Sequence, residues 1–247
     1  MNIILYGYGL MGKKVAHKIR QQKDMKLQAI VSYQFDEKAP EPMCQSLTEI
    51  NDAVDIIIDF SHPNNLDDIL TYAITNDTNL VIATTGYSEE QIMKIEEASR
   101  HVAVFQSYNT SLGMQIVTKL LKGVVNDVYR NMFDIEIVEK HHNNKIDAPS
   151  GTAEMLFDVI QEEIPEVTKV VDRSQVLEKR KHHEVGMQSI RGGTIFGEHT
   201  VYFAGNDEVI EIKHTALSKE VFVQGAINAA RLLEGKKAGL YTLKTLY

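Results

Sequence analysis

Through the first hundred residues, short apolar runs rich in β-branched side chains alternate with stretches whose apolar positions recur at helical spacing. Asn2–Tyr6, Leu27–Val31, Val54–Ile58, Leu80–Ala83 and Val102–Phe105 predict strands. Between them Met11/Val15/Ile19 and Leu66/Ile69/Leu70/Ala73 fall on helix faces, and Ser88-Glu-Glu-Gln91 has the form of a capping box opening a further helix. Parallel strands need crossover helices, so this rhythm predicts a doubly wound parallel sheet. After about Asn109 the pattern changes. Leu112–Val125 reads as a helix, Phe133–Val138 as a strand leading into a loop, and Thr152 to about Ile164 as a helix. Gly186–Ile190, Thr194–Ala204 and Val209–His214 then alternate, the last two joined by Gly205-Asn206-Asp207, which is hairpin punctuation. The expectation is an α/β chain with an inserted α+β domain at 109–216. From Ser218 a helix with Val221, Phe222, Gly225, Ala226 and Ala229 on one side runs to Gly235 and is expected to rejoin the first domain, giving 1–108 plus 217–247.

Candidate chemistry sits at the ends of these elements. Gly7-Tyr8-Gly9-Leu10-Met11-Gly12 follows the first strand and opens the first helix, where glycines permit close backbone approach and the helix N-terminus offers N–H groups to a pyrophosphate. That context predicts a Rossmann-type dinucleotide domain. The acidic ribose anchor expected after the second strand is missing: Ser32 and Tyr33 stand there, with Asp36 and Glu37 slightly beyond. Ala83-Thr84-Thr85-Gly86 and Ser107-Tyr108-Asn109-Thr110 end the fourth and fifth strands, where open parallel sheets bind ligands. The densest cluster is Glu139-Lys-His-His-Asn-Asn-Lys-Ile-Asp-Ala-Pro-Ser-Gly-Thr-Ala153. His141, His142 and Lys145 put proton donors and cationic anchors side by side. Ser150-Gly151-Thr152 then opens a helix whose N–H groups can hold a carboxylate. Arg191-Gly192-Gly193-Thr194 reads as a turn, with Arg191 more suited to supporting a substrate pocket than to touching substrate.

Composition narrows the class. With 43% hydrophobic and 24% charged residues, 247 residues suffice for a large core, in one domain or two. One cysteine excludes an intrachain disulfide and fits a reducing compartment, and no Cys/His spacing suggests a metal site. No basic region precedes the N-terminal apolar residues and no run reaches membrane length, so a cytoplasmic protein without membrane contact is expected. A net charge of −8 argues against nucleic acid as a partner.

Almost end to end, the chain resembles the 4-hydroxy-tetrahydrodipicolinate reductase (dihydrodipicolinate reductase) family of diaminopimelate and lysine biosynthesis. The resemblance runs through the N-terminal glycines, Ala83-Thr-Thr-Gly86, Glu139–Ala153, Arg191-Gly-Gly-Thr-Ile-Phe-Gly-Glu-His199 and the Ser218–Ala230 helix. It implies His141 as proton donor and acceptor, Lys145 as proton donor, and His142 with Gly151 and Thr152 on the carboxylates of a cyclic substrate. It places NADH or NADPH on Gly7–Gly12, Ala83–Thr85 and Ser107–Thr110, and implies a homo-oligomer, a tetramer. The glycine turn is one residue shorter than the family's usual form, with the fingerprint intact. Two other classes fit parts of the chain. A semialdehyde dehydrogenase needs a cysteine nucleophile, for which only Cys44 exists, and a non-catalytic dinucleotide sensor would not need the histidine cluster. Ser32-Tyr33 offer neither a carboxylate for a 2′-hydroxyl nor a guanidinium for a 2′-phosphate. The kcat/KM values for NADH and NADPH are therefore expected to differ by less than about a thousand-fold, or about 4 kcal/mol. A larger ratio in steady-state assays would show that another residue reads the ribose.

Overall fold

Alternation along each strand decides what its two faces meet. In the computed structural model, which describes residues 1–107 and 109–246, the chain begins with β1 (Asn2–Tyr6), α1 (Leu10–Arg20), β2 (Lys26–Val31), β3 (Met43–Cys44), β4 (Ile56–Asp59), α2 (Leu66–Thr75), β5 (Asn79–Ile82), α3 (Glu89–Ala98) and β6 (Ala103–Gln106). It continues through α4 (Leu112–Arg130), β7 (Asp134–His141), α5 (Gly151–Glu163), β8 (Thr168–Val170), β9 (Glu184–Arg191), β10 (Gly197–Ala204) and β11 (Val209–Ala216). It ends with α6 (Glu220–Leu233), β12 (Gly239–Tyr241) and α7 (Leu243–Leu246). Two units result: Met1–Ser111 with Glu220–Tyr247, and Leu112–Lys219.

The first unit is built on a seven-stranded parallel sheet of order β12-β6-β5-β4-β1-β2-β3. Ile3 and Leu5 face Val15 and Ile19 of α1 and Val223 and Ile227 of α6. Ile4 and Tyr6 face the other way, toward Ile69 of α2 and Ile95 of α3. Helices thus cover both faces, as the doubly wound expectation requires, and the Ser88/Gln91 capping box opens α3. The edge strands β3 and β12 were not anticipated, because two or three residues are too short to show a period. Cys44 is buried in β3.

The second unit carries a mixed five-stranded sheet of order β11-β10-β7-β9-β8, with β7 antiparallel to β10 and parallel to β9. One face buries Ile135, Ile137, Val185, Met187, Val201 and Phe203 against α4 and α5. β7 runs to His141 rather than stopping at Val138, so His141 ends a strand instead of lying in a loop. The reason is physical: the period of two continues through Glu139 and His141, which are buried on the face that Ile135 and Ile137 occupy. A buried polar pair at the end of an apolar strand imitates a strand terminus.

α6 closes on the segment after β6 through a small residue. Thr110 Oγ1 donates to Phe222 O at 2.7 Å, and a Cβ placed on Gly225 would run into Thr110 O. Gly225→Ala is therefore expected to destabilise the protein by about 1–3 kcal/mol, the usual range for overpacking, seen as a lower urea midpoint with little change in slope.

Candidate active site

Glycine decides the geometry of the first βα turn. Gly7 has φ +95°, in the left-handed region that only glycine enters freely. A Cβ on Gly7 would meet Phe60 O, and one on Gly12 would meet Gly7 O, so β1, the β4 loop and α1 approach more closely than other residues allow. Gly9 caps α1 with no side-chain bond of its own. Gly7, Tyr8 and Gly9 line a groove of ≈ 690 Å3 with Ser32, Tyr33, His62 and Asn65. Met11, Ala83, Thr84 and Thr85 line an adjoining groove of ≈ 700 Å3, and Phe60, Ser61, His62 and Asn64 border both. Beneath them the Asp59 carboxylate accepts from Ser61 N–H, Ser61 Oγ and Tyr87 Oη, and Ser61 N–H also meets Thr84 Oγ1 at 2.9 Å. Burial pushes the Asp59 carboxyl up, against the pull of those hydrogen bonds. Backbone at the carboxyl ends of β1, β4 and β5, exposed to a long groove, fits a dinucleotide.

The second constellation is a polar extension of the inserted core. Glu139 is 1% exposed. Its Oε2 lies 2.5 Å from His141 Nδ1 and accepts from Arg191 Nη1 at 2.8 Å, while Oε1 accepts from Arg191 Nη2 at 2.6 Å and from Ser150 N–H at 3.3 Å. Register explains the meeting: His141 pairs with Arg191 across β7/β9, and Glu139 with His199 across β7/β10. His199 Nε2 lies 3.0 Å from Ser150 Oγ, which also accepts Ala153 N–H as the cap of α5. Asn143 N–H donates to Gly193 O, Gly192 N–H to His141 O, and Arg191 Nη2 to Asp147 O, which ties down both ends of the loop between β7 and α5. On that loop Lys145 Nζ donates to both carboxylate oxygens of Asp147 at 2.8 and 2.9 Å, and His142 Nδ1 is buried without a hydrogen-bond partner among the described residues.

The sequence-predicted residues divide accordingly. His141, His142, Lys145, Ser150, Gly151 and Thr152 come together at the end of β7 and the start of α5. Ser150 is almost wholly occupied by internal bonds, and Arg191 supports the cluster through Glu139. Gly7, Tyr8, Gly9, Met11, Ala83, Thr84 and Thr85 line the two grooves, whereas Leu10 is exposed and Gly12 packs on Gly7. Ser107, Asn109 and Thr110 line neither groove. Ser107 and Asn109 bond within their own turn, and Thr110 bonds α6. Tyr108 lies outside the described residues. Sequence reading missed Phe60-Ser61-His62, though it follows a strand as Ala83-Thr84-Thr85 does. It also gave no role to Glu139 or His199, whose partners are distant in sequence. Cys44 is no candidate nucleophile, because burial pushes its thiol up and away from the reactive thiolate.

A Rossmann-type sheet with a glycine-lined groove, joined to a unit bearing a histidine–lysine cluster, defines an oxidoreductase. The chain matches the family models described as dihydrodipicolinate reductase, N-terminus, over residues 1–110 and dihydrodipicolinate reductase, C-terminus, over residues 113–246. It belongs to the dihydrodipicolinate reductase family. The 4-hydroxy-tetrahydrodipicolinate reductase of Exiguobacterium sibiricum is 51% identical over 249 residues, covering 100% of this chain and 96% of the relative. The enzyme of that name from Staphylococcus aureus is 44% identical over 246 residues, covering 100% of both. In fold the chain is similar to dipicolinate-bound dihydrodipicolinate reductase from Paenisporosarcina sp. TG-14, with a TM-score of 0.77 at 21% identity over 98% of this chain and 97% of that one. Among the described residues no helix is long and apolar enough to cross a membrane, and no group of three or more His, Cys, Asp or Glu is placed to hold a metal.

The polar core has a pH signature. Burial first, then the neighbouring His141, pushes the His199 imidazole from 6.5 down to about 3. The unfolded chain binds that proton more readily, so the stability tied to neutral His199 is complete above about pH 6.5 and is lost as pH falls toward 3. Burial pushes the Glu139 carboxyl up, but hydrogen bonds from His141, Arg191 and Ser189 outweigh it and hold the group below its ordinary 4.5, adding a loss of the same sign at lower pH. Between pH 6.5 and 5 the melting temperature of the parent is expected to fall more than that of His199→Gln. The residual slope in the variant includes His214, which burial also lowers. Parallel pH curves for the two proteins would contradict this assignment.

Proposed function

We propose that this protein reduces 4-hydroxy-tetrahydrodipicolinate to tetrahydrodipicolinate, the reaction for which its relatives are named, in diaminopimelate and lysine biosynthesis. The observation that carries the reading is the cluster of His141, His142 and Lys145 beside the capped start of α5. It joins proton-handling groups, a buried imidazole nitrogen without a hydrogen-bond partner among the described residues, and a helix N-terminus over the end of β7, the loop that follows and the start of α5. Such a site suits a small ring bearing two carboxylates. A nicotinamide dinucleotide, NADH or NADPH, held by Gly7, Tyr8, Gly9, Met11 and Ala83–Thr85, supplies the hydride. Water leaves the 4-hydroxy carbon and hydride enters there, with one proton consumed overall. His141 and Lys145 supply and take up protons at the ring. His142, with Gly151 and Thr152 at the start of α5, holds a carboxylate. Lys145 does both jobs, since an ammonium beside a carboxylate anchors as well as donates. The enzyme works in the cytoplasm as a homotetramer and needs no metal.

Oxidation of NADH or NADPH with the dicarboxylate substrate tests the activity directly. His141→Gln or Lys145→Ala, confirmed folded, is expected to lower kcat by about 10²–10⁴ while nucleotide binding survives, because both lie outside the glycine-lined unit. A bulky residue at Thr152 should instead raise KM, since the groups it disturbs hold the substrate in ground and transition states alike. Retention of kcat within a few-fold in both variants, with nucleotide affinity lost, would reverse the assignment.

A further inference from the structure

We propose that Glu139 is a positioning residue for His141: its carboxylate takes the hydrogen bond from Nδ1–H and confines proton exchange with substrate to Nε2. The inference rests on the reading of His141 as a proton-handling side chain. An ionised carboxylate only accepts hydrogen bonds. With Oε2 2.5 Å from Nδ1, the ring atom facing it must carry hydrogen, because a lone pair there would oppose the lone pairs of the carboxylate.

The carboxylate is not at liberty to turn away. Arg191 grips both of its oxygens, and the same guanidinium donates to Ile190 O at 2.9 Å and Asp147 O at 2.6 Å. Ser150 N–H adds a fourth donor at Oε1. Rotation of Glu139 would leave these donors, and a largely buried guanidinium, without their acceptor. The bond to Nδ1 persists whether the ring is neutral or charged, so the proton that departs and returns is the one on Nε2. β10 passes close to that edge of the ring without a side chain. Gly197 stands there, and a Cβ on it would come within 3.2 Å of Nε2. One carboxylate thus selects the tautomer and sets the direction of the imidazole, the part played by a buried acid behind a catalytic histidine in general.

A mutant cycle separates positioning from mere stability. Glu139→Gln is expected to lower kcat by about 10²-fold with nucleotide KM unchanged, and Glu139→Asp, which keeps the charge for Arg191, to fall between it and the parent. In a His141→Gln background, Glu139→Gln should cost less than a further about two-fold, because a group acting through His141 has nothing left to act on. ¹⁵N spectra of the neutral ring should show the proton on Nδ1 in the parent and its loss from that position in Glu139→Gln. If Glu139→Gln does not fold, Glu139→Asp carries the same cycle. Equal losses of kcat in both backgrounds, or an unchanged tautomer, would overturn the proposal. If His141→Gln alone leaves kcat intact, the reading of His141 fails instead, and the ring spectra still decide what Glu139 does to the tautomer.

Discussion

The Glu139 carboxylate is 1% exposed, and an ion withdrawn from water costs several kcal/mol unless charge and hydrogen bonds replace its hydration. Its partners converge from several places in the inserted unit. Arg191 ends β9, Ser150 caps α5, and His141 lies two residues further along β7. Satisfying one charge therefore fixes two strand ends and a helix start together. Through the bond from Arg191 to Asp147 O it also fixes the loop that carries Lys145. Truncating any partner would leave the others facing an incompletely matched ion, which is why the cluster acts as a unit rather than as a sum of contacts.

Along β7 and β10 the hydrophobic core passes into this polar one without a break in geometry. Ile135, Ile137, Glu139 and His141 share one face of β7; Phe203, Val201, His199 and Gly197 share the matching face of β10. The apolar halves of these strands were legible from alternation alone. The polar halves were not, because hydrophobicity cannot distinguish a buried, fully paired glutamate from a solvated one. What distinguishes them is the partner, and the partners stand far off: Glu139 and Arg191 are separated by 52 positions, Ser150 and His199 by 49. His141, His142 and Lys145 could be noticed because they are close in sequence. Glu139 and His199 become significant only once the strands are paired.

The first unit shows the opposite case. Its groove depends on Gly7 and Gly12, whose lack of a Cβ lets β1, the β4 loop and α1 close on one another. A glycine turn between a strand and a helix is local, so the turn could be read from a dozen residues. The Phe60–Asn64 loop that completes the groove has no glycine and was overlooked. Its position at the carboxyl end of β4, level with Ala83–Thr85 after β5, carries the information instead. Strand-end position in a parallel sheet is as informative as a motif, provided the sheet order is known.

Two ion pairs in the inserted unit do different work because water treats them differently. Glu139–Arg191 is enclosed, with side-chain exposures of 1% and 18%, and breaking it would strand charge in a poorly hydrated place. Lys145–Asp147 is more open, at 23% and 59%. A pair of that kind contributes about 0–1 kcal/mol, so under the proposed function a substrate carboxylate would replace Asp147 on the ammonium at little cost. Yet the backbone of Asp147 is held by Arg191, so such an exchange does not release the loop. The enclosed pair keeps the site in shape while the open pair leaves its cation available, and both properties come from the same short segment of chain.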